Sequence, residues 1–195
     1  MKNFLFAALL CVASLSSFSQ VQQIVVEEVD NGGSVKGRTY RVYAEMTNIK
    51  DQIYVLFGDS VNKLEVKSNK PFYQSSYGGS LSRESNRKQA SENPQLKYDS
   101  WITIGAEDNY DNNVQVLNLD LTNFETKGGA ISIPKDGAWF CVPTDKQAYC
   151  GENKRILLMQ LTTEGNITGL LNIMGKTAEG NPYTKYGLKF SSGKN

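Results

Sequence analysis

Between residues 40 and 46 apolar and polar side chains alternate. Tyr40, Val42, Ala44 and Met46 fall on one face of an extended chain, and Arg41, Tyr43 and Glu45 on the other. A period of two with one apolar face predicts a strand that is buried on one side and wet on the other. Shorter β-branched and aromatic runs predict strands over 53–57, 101–104, 138–142 and 183–190, separated by Gly, Asn, Asp and Pro clusters. The 53–57 run is apolar on both faces, which suits a strand in the middle of a sheet. Residues 155–163 and 167–174 flank Glu164-Gly165-Asn166 and predict a hairpin in which Gly165 or Asn166 takes a positive φ. Over 114–121 the apolar set moves from Val114 and Val116 to Leu117, Leu119 and Leu121, and a bulge near Val116 and Leu117 accounts for the change of face.

The 80–97 stretch breaks this pattern. It has almost no apolar residues and neither periodicity, so it reads as one long polar surface loop with a helical turn or two supported by Glu84 and Lys88. Ten or so short strands with no internal repeat and no linker predict an all-β fold: a two-sheet, jelly-roll-like β-sandwich.

The first residues change the picture of compartment. Lys2 precedes an apolar run from Phe4 to Val12, and Ser17 and Ser19 offer small residues for a peptidase. Residues 1–19 therefore read as a signal peptide cleaved before Gln20, leaving one domain over 20–195 that is secreted or held in the cell envelope. The apolar run is about half of the ~20 residues needed to span a bilayer, and no later segment is long enough. Beyond the leader two cysteines remain, Cys141 and Cys150. In an oxidising compartment such a pair predicts a disulfide closing a loop of about ten residues, contributing roughly 2.5 to 3 kcal/mol in the chain-entropy account. The alternative is two separate core thiols.

Composition removes several kinds of chemistry. The chain has no histidine, which excludes Ser-His and Cys-His catalysis and His-ligated metal sites. Lys plus Arg total 21 and Asp plus Glu 20, so no basic excess points to nucleic acid or an anionic membrane. Gly175-Lys176-Thr177 follows Gly169 with the wrong spacing for a phosphate loop. A Glu-x-Asp-x-x-Glu hydrolase signature begins at Glu28 and Asp30 but meets Gly33 at its third position, and Glu27 and Glu107 show no pairing. No catalytic residue is assigned and the leading expectation is a non-enzyme, although paired carboxylates from distant strands leave an enzyme as an open alternative.

Binding candidates remain. Glu107, Asp108 and Asp111 lie in the densest run of oxygen ligands and are the candidates for calcium, although the Asp-x-Asp-x-Asp-Gly spacing is absent and such residues also simply build turns. Tyr73 and Tyr77 near Gly78-Gly79, together with Trp101, are the candidates for stacking on a ligand, with core packing as the competing reading for the tryptophan. Asn166-Ile167-Thr168 fits the N-glycosylation pattern, yet Asn in a turn has its own backbone reason.

Several phrases in order are distinctive: Thr39-Tyr40-Arg41-Val42-Tyr43-Ala44, Val55-Leu56-Phe57-Gly58-Asp59, Phe72-Tyr73-Gln74, Tyr98-Asp99-Ser100-Trp101-Ile102-Thr103-Ile104-Gly105, Ala138-Trp139-Phe140 and the run from Arg155 to Thr163. Together they resemble an uncharacterised secreted β-sandwich domain that recurs in extracellular proteins of marine and Bacteroidetes-type bacteria. The resemblance implies an extracellular module and carries over no catalytic residue. The chain departs from it in the polar 80–97 stretch and in the Cys141 and Cys150 pair. The leading expectation is a non-catalytic module for surface, matrix or partner binding, with an extracellular protein or glycan as partner. A carbohydrate-binding or glycan-degrading protein and a calcium-stabilised structural module are the alternatives.

Overall fold

The structure, a computed structural model, describes residues 20–193. The proposed signal peptide lies outside the described residues. Two antiparallel sheets pack face to face as a β-sandwich. The first has four strands in the order β1 (Val21–Val29), β2 (Arg38–Met46), β9 (Arg155–Thr163), β5 (Trp101–Ile102). The second has seven: β6 (Gln115–Leu117), β8 (Gly137–Phe140), β3 (Gln52–Gly58), β10 (Ile167–Lys176), β4 (Leu64–Ser68) and β7 (Ile131–Ile133) follow one another, and β11 (Pro182–Ser191) runs along β10.

The alternating face of β2 behaves as its sequence demands. Tyr40, Val42, Ala44 and Met46 are buried in the common core while Arg41, Tyr43 and Glu45 face outward and are partly wet. β3 lies inside its sheet between β8 and β10, in keeping with its two apolar faces. Trp139 is fully buried, and its indole N–H donates to the Thr103 carbonyl at 3.1 Å.

The expected hairpin is absent. β9 has β2 on one edge and β5 on the other, so it has no edge left for β10, which belongs to the opposite sheet. Residues 164–166 therefore cross from sheet to sheet. Neither Gly165 nor Asn166 takes a positive φ; a Cβ on Gly165 would lie 2.9 Å from the Lys70 amide nitrogen, backbone that cannot rotate away. The expected bulge at Val116 and Leu117 is also corrected. β6 ends at Leu117, Asn118 turns the chain with φ 49°, and the chain then enters helix α2 (Thr122–Lys127).

The polar stretch folds into a short helix α1 (Arg87–Glu92) between single 3-10 turns at Ser82–Glu84 and Pro94–Tyr98. Asn86 caps α1 by accepting from the Lys88 and Gln89 amides. Glu84 accepts from the Leu81 amide at 2.9 Å, a local turn bond in place of the expected support through Lys88. Leu81 and Leu96 are buried and anchor both ends of the segment.

The expected disulfide is not formed. Cys141 and Cys150 are both free and buried. The Cys141 amide donates to Tyr54 O and the Cys150 amide to Asp51 O, so the two residues sit three positions apart along the edge of β3 and its N-terminal extension. At ~3.3 Å per residue that is about 10 Å, beyond the ~7 Å over which two Cα atoms can be bridged.

Candidate functional site

The crossover between the sheets gathers loops from distant parts of the chain at one end of the sandwich. The Thr163 hydroxyl donates to the carbonyl oxygens of Pro71 and Lys70, at 3.0 and 3.2 Å, and accepts from the Gly165 amide at 3.1 Å. With its proton committed, it is the acceptor for Ser68 Oγ at 3.0 Å. The Thr162 hydroxyl donates to Tyr98 O at 2.6 Å, which makes Thr39 the donor in the 2.7 Å bond between their hydroxyls. The Tyr73 amide donates to Thr162 O at 2.7 Å. Buried and mutually satisfied, these hydroxyls fix the backbones of 68–73 and 98–100 against β9.

A third loop, 31–37, closes over the same end. The Asn31 side chain donates to Gly37 O at 3.0 Å and accepts from the Gly33 amide at 3.0 Å, an Asx turn that sets the loop's shape. Gly37, at φ 87°, lies directly against the backbone of Thr163.

Between these loops lies a depression of about 540 Å³, bordered by Val35, Lys36, Lys70, Tyr73, Gln95 and Glu164 among others. Beside it a second, of about 370 Å³, is lined by Ser34, Tyr77, Glu92, Asn93, Pro94 and Gln95. Ser34 and Gln95 border both, so the two form one surface with an aromatic ring on each part. Tyr77 is 54% exposed, an open face for a ring that has no place in the core.

Asp99 underlies this surface. It is wholly buried; its Oδ1 accepts from the amides of Ser75 at 2.7 Å and Ser100 at 2.9 Å, while Oδ2 has no partner and abuts Gly78. Burial, with a smaller push from the charge of Glu125, raises its pKa to about 7 although the backbone amides of Ser75, Ser100 and Gly79 favour the carboxylate. Its own partial burial and the nearby Asp99 raise the Tyr73 phenol above its ordinary value, so the ring stays neutral. Gly78 and Gly79 have no positive φ; they are small so that the chain can pass Asp99 and Glu84.

The other sequence candidates lie apart. Trp101 is 2% exposed, so its ring is core; it touches a separate depression of about 410 Å³ that also includes Arg41, Glu107 and Asp108. Glu107 is held by Arg41 at 2.9 Å and Asp108 by Arg87 at 2.6 Å. Asp111 occupies an exposed turn at φ 48°. The structure thus does not assemble the calcium candidates, and among the described residues no group of three or more metal-ligating side chains occurs. Among the described residues no helix is long and apolar enough to cross a membrane.

The sequence singled out Tyr73 and Tyr77 but not Lys36, Lys70, Gln95 or Asp99. Asp99 did carry a signal, as part of the most distinctive phrase; the others are ordinary polar loop residues. Comparison of the chain with protein-family models, with curated proteins and with solved structures gives no match.

Proposed function

We propose that the chain is a secreted, non-catalytic β-sandwich module that attaches to an extracellular matrix or cell surface by binding a glycan in the joined depressions beside Tyr73 and Tyr77. The observation that carries this reading is the pair of rings on adjoining depressions, bordered by amide, hydroxyl and carboxylate side chains and held by the Thr162 and Thr163 hydroxyls. Flat rings cover the apolar face of a sugar, and side-chain polar groups at the rim take its hydroxyls. A rigid frame lowers the ordering cost of binding.

Three observations favour binding over turnover. The carboxyl with the strongly raised pKa, Asp99, is sealed from solvent and cannot reach a substrate. Glu27 and Glu45 are both bound by Arg155, and Glu107 by Arg41. Arginine-held carboxylates on an open sheet face are poor proton donors to a glycosidic oxygen. The extracellular setting rests on the signal-like leader and on the family resemblance.

The test is sedimentation with a panel of insoluble polysaccharides. Binding to at least one is expected, lost in Tyr73→Ala and Tyr77→Ala and kept in Trp101→Phe. Failure to bind any member of the panel, or binding indifferent to both tyrosines, overturns the reading.

A further inference from the structure

The two depressions differ in charge. The larger one brings Lys36 and Lys70 together with one carboxylate, Glu164; the smaller has Glu92 and no cation. Among the described residues neither lysine is in an ion pair, whereas Arg38, Arg41, Arg87 and Arg155 each hold a carboxylate. The lysines come from separate loops that the frame holds in place. Lys36 rides on the loop shaped by Asn31 and Gly37. The Lys70 amide donates to Ser68 Oγ at 3.2 Å and its carbonyl accepts from Thr163 at 3.2 Å, so its backbone is fixed on both sides.

Two lysines without an ion pair, bordering the same depression as a neutral aromatic ring, form a subsite for an anionic sugar. Each ammonium offers three donors, suited to the several acceptor oxygens of a carboxylate or a sulfate. Glu164 lies on the same rim, where a carboxylate accepts sugar hydroxyls and leaves the larger depression with net positive charge. The smaller depression, with Glu92, repels an anion and suits a neutral face on Tyr77.

Resting on the glycan reading above, we propose that the ligand is an acidic polysaccharide whose carboxylate or sulfate group is held between Lys36 and Lys70 while its ring lies on Tyr73. An exposed pair of this kind is screened by salt, with a Debye length of about 8 Å at physiological ionic strength. Affinity therefore falls as salt rises.

Calorimetric titration with polygalacturonate, a sulfated galactan and a neutral glucan distinguishes the possibilities. Acidic polymers are expected to bind, more weakly at 0.5 M than at 0.05 M NaCl. Lys36→Ala and Lys70→Ala should each lower affinity about threefold to fivefold, the range of a partly screened ion pair. Lys146→Ala, which borders neither depression, should bind as the parent does. All variants are checked for unchanged thermal midpoint. Preference between the uronate and the sulfated polymer identifies which anion the lysines hold. Binding of the neutral glucan alone, dependent on Tyr73 and Tyr77, overturns the acidic ligand while leaving the glycan reading intact. Acidic binding that ignores Lys36 and Lys70 overturns the proposed subsite, and no binding to any of the three overturns both.

Discussion

Gly37 sits against the backbone of Thr163 so closely that a Cβ on it would overlap the Thr163 carbonyl group and lie 2.6 Å from the Glu164 amide nitrogen. Its φ of 87° is a second reason for glycine. Gly37→Ala therefore meets both strain and a clash with backbone that cannot rotate away. The expected loss is roughly 2 to 4 kcal/mol, read as a lower denaturant midpoint with unchanged slope. Loss of glycan binding should accompany it, because the 31–37 loop carries Ser34 and Lys36 into the site. A variant as stable as the parent would show that the loop does not dock on Thr163.

Thr163→Val tests the hydroxyl at the crossover. It keeps the β-branched shape but leaves the carbonyls of Lys70 and Pro71 and the Gly165 amide without this partner. A cost of about 1 to 3 kcal/mol follows from orphaning buried polar groups. Tyr77→Ala should cost much less, since the ring is 54% exposed, while abolishing binding. Thermal melts and sedimentation on the same variants separate the two effects.

Asp99 gives stability a pH dependence of definite sign. Its folded pKa is about 7 and its ordinary value 3.8, so between those limits the folded protein holds a proton that the unfolded chain has released. Stability should fall as pH rises from about 4 to 7 and level off above it, by at most roughly 4 kcal/mol at 1.36 kcal/mol per unit. Glu45, Asp59, Asp120 and Glu179 are shifted down by hydrogen bonds and act oppositely, at pH values below their ordinary range. Urea melts across pH 4 to 8 measure the slope. Asp99→Asn should flatten it.

The two cysteines should be inert in the folded protein. Burial, with smaller contributions from Asp145 and Asp51 respectively, raises the Cys141 thiol to about 12 and the Cys150 thiol to about 11. The thiolate fraction at pH 8 is then negligible. Alkylation followed by peptide mapping should label neither residue in native protein and both in denaturant without reductant. Label appearing only after reduction would mean a disulfide.

Much of the fold is legible in the sequence, and the gaps have one cause. Alternation over Tyr40 to Met46 identifies the buried face because a strand's side chains obey a local period. The bounds of β9 are equally plain. Its partner is not, because a short Gly-Asn connection punctuates a hairpin and a sheet-to-sheet crossing in the same way, and only the full pairing of β9 with β2 and β5 excludes the hairpin. The site follows the same division. Tyr73 and Tyr77 stand out as aromatic residues beside a glycine pair. Lys36, Lys70 and Gln95 are unremarkable in sequence, since their place on one surface depends on Thr163 ending β9 just where the chain crosses to the other sheet. The Cys141 and Cys150 spacing suggested closeness along the chain, but one attaches to Tyr54 of β3 and the other to Asp51 just before it.

β9 and β10 occupy interior positions in the two sheets, yet they come late in the chain. β2 pairs with β9, and β3 with β10, across more than half the length of the protein. Until residues 155–176 have left the ribosome, each sheet lacks a middle strand, and only pairs such as β1 with β2 or β3 with β8 have their neighbours at hand. The order of synthesis thus defers completion of both sheets to the end of translation. A topology with pairings this far apart in sequence folds slowly, because closing so long a loop costs entropy before any contact offsets it.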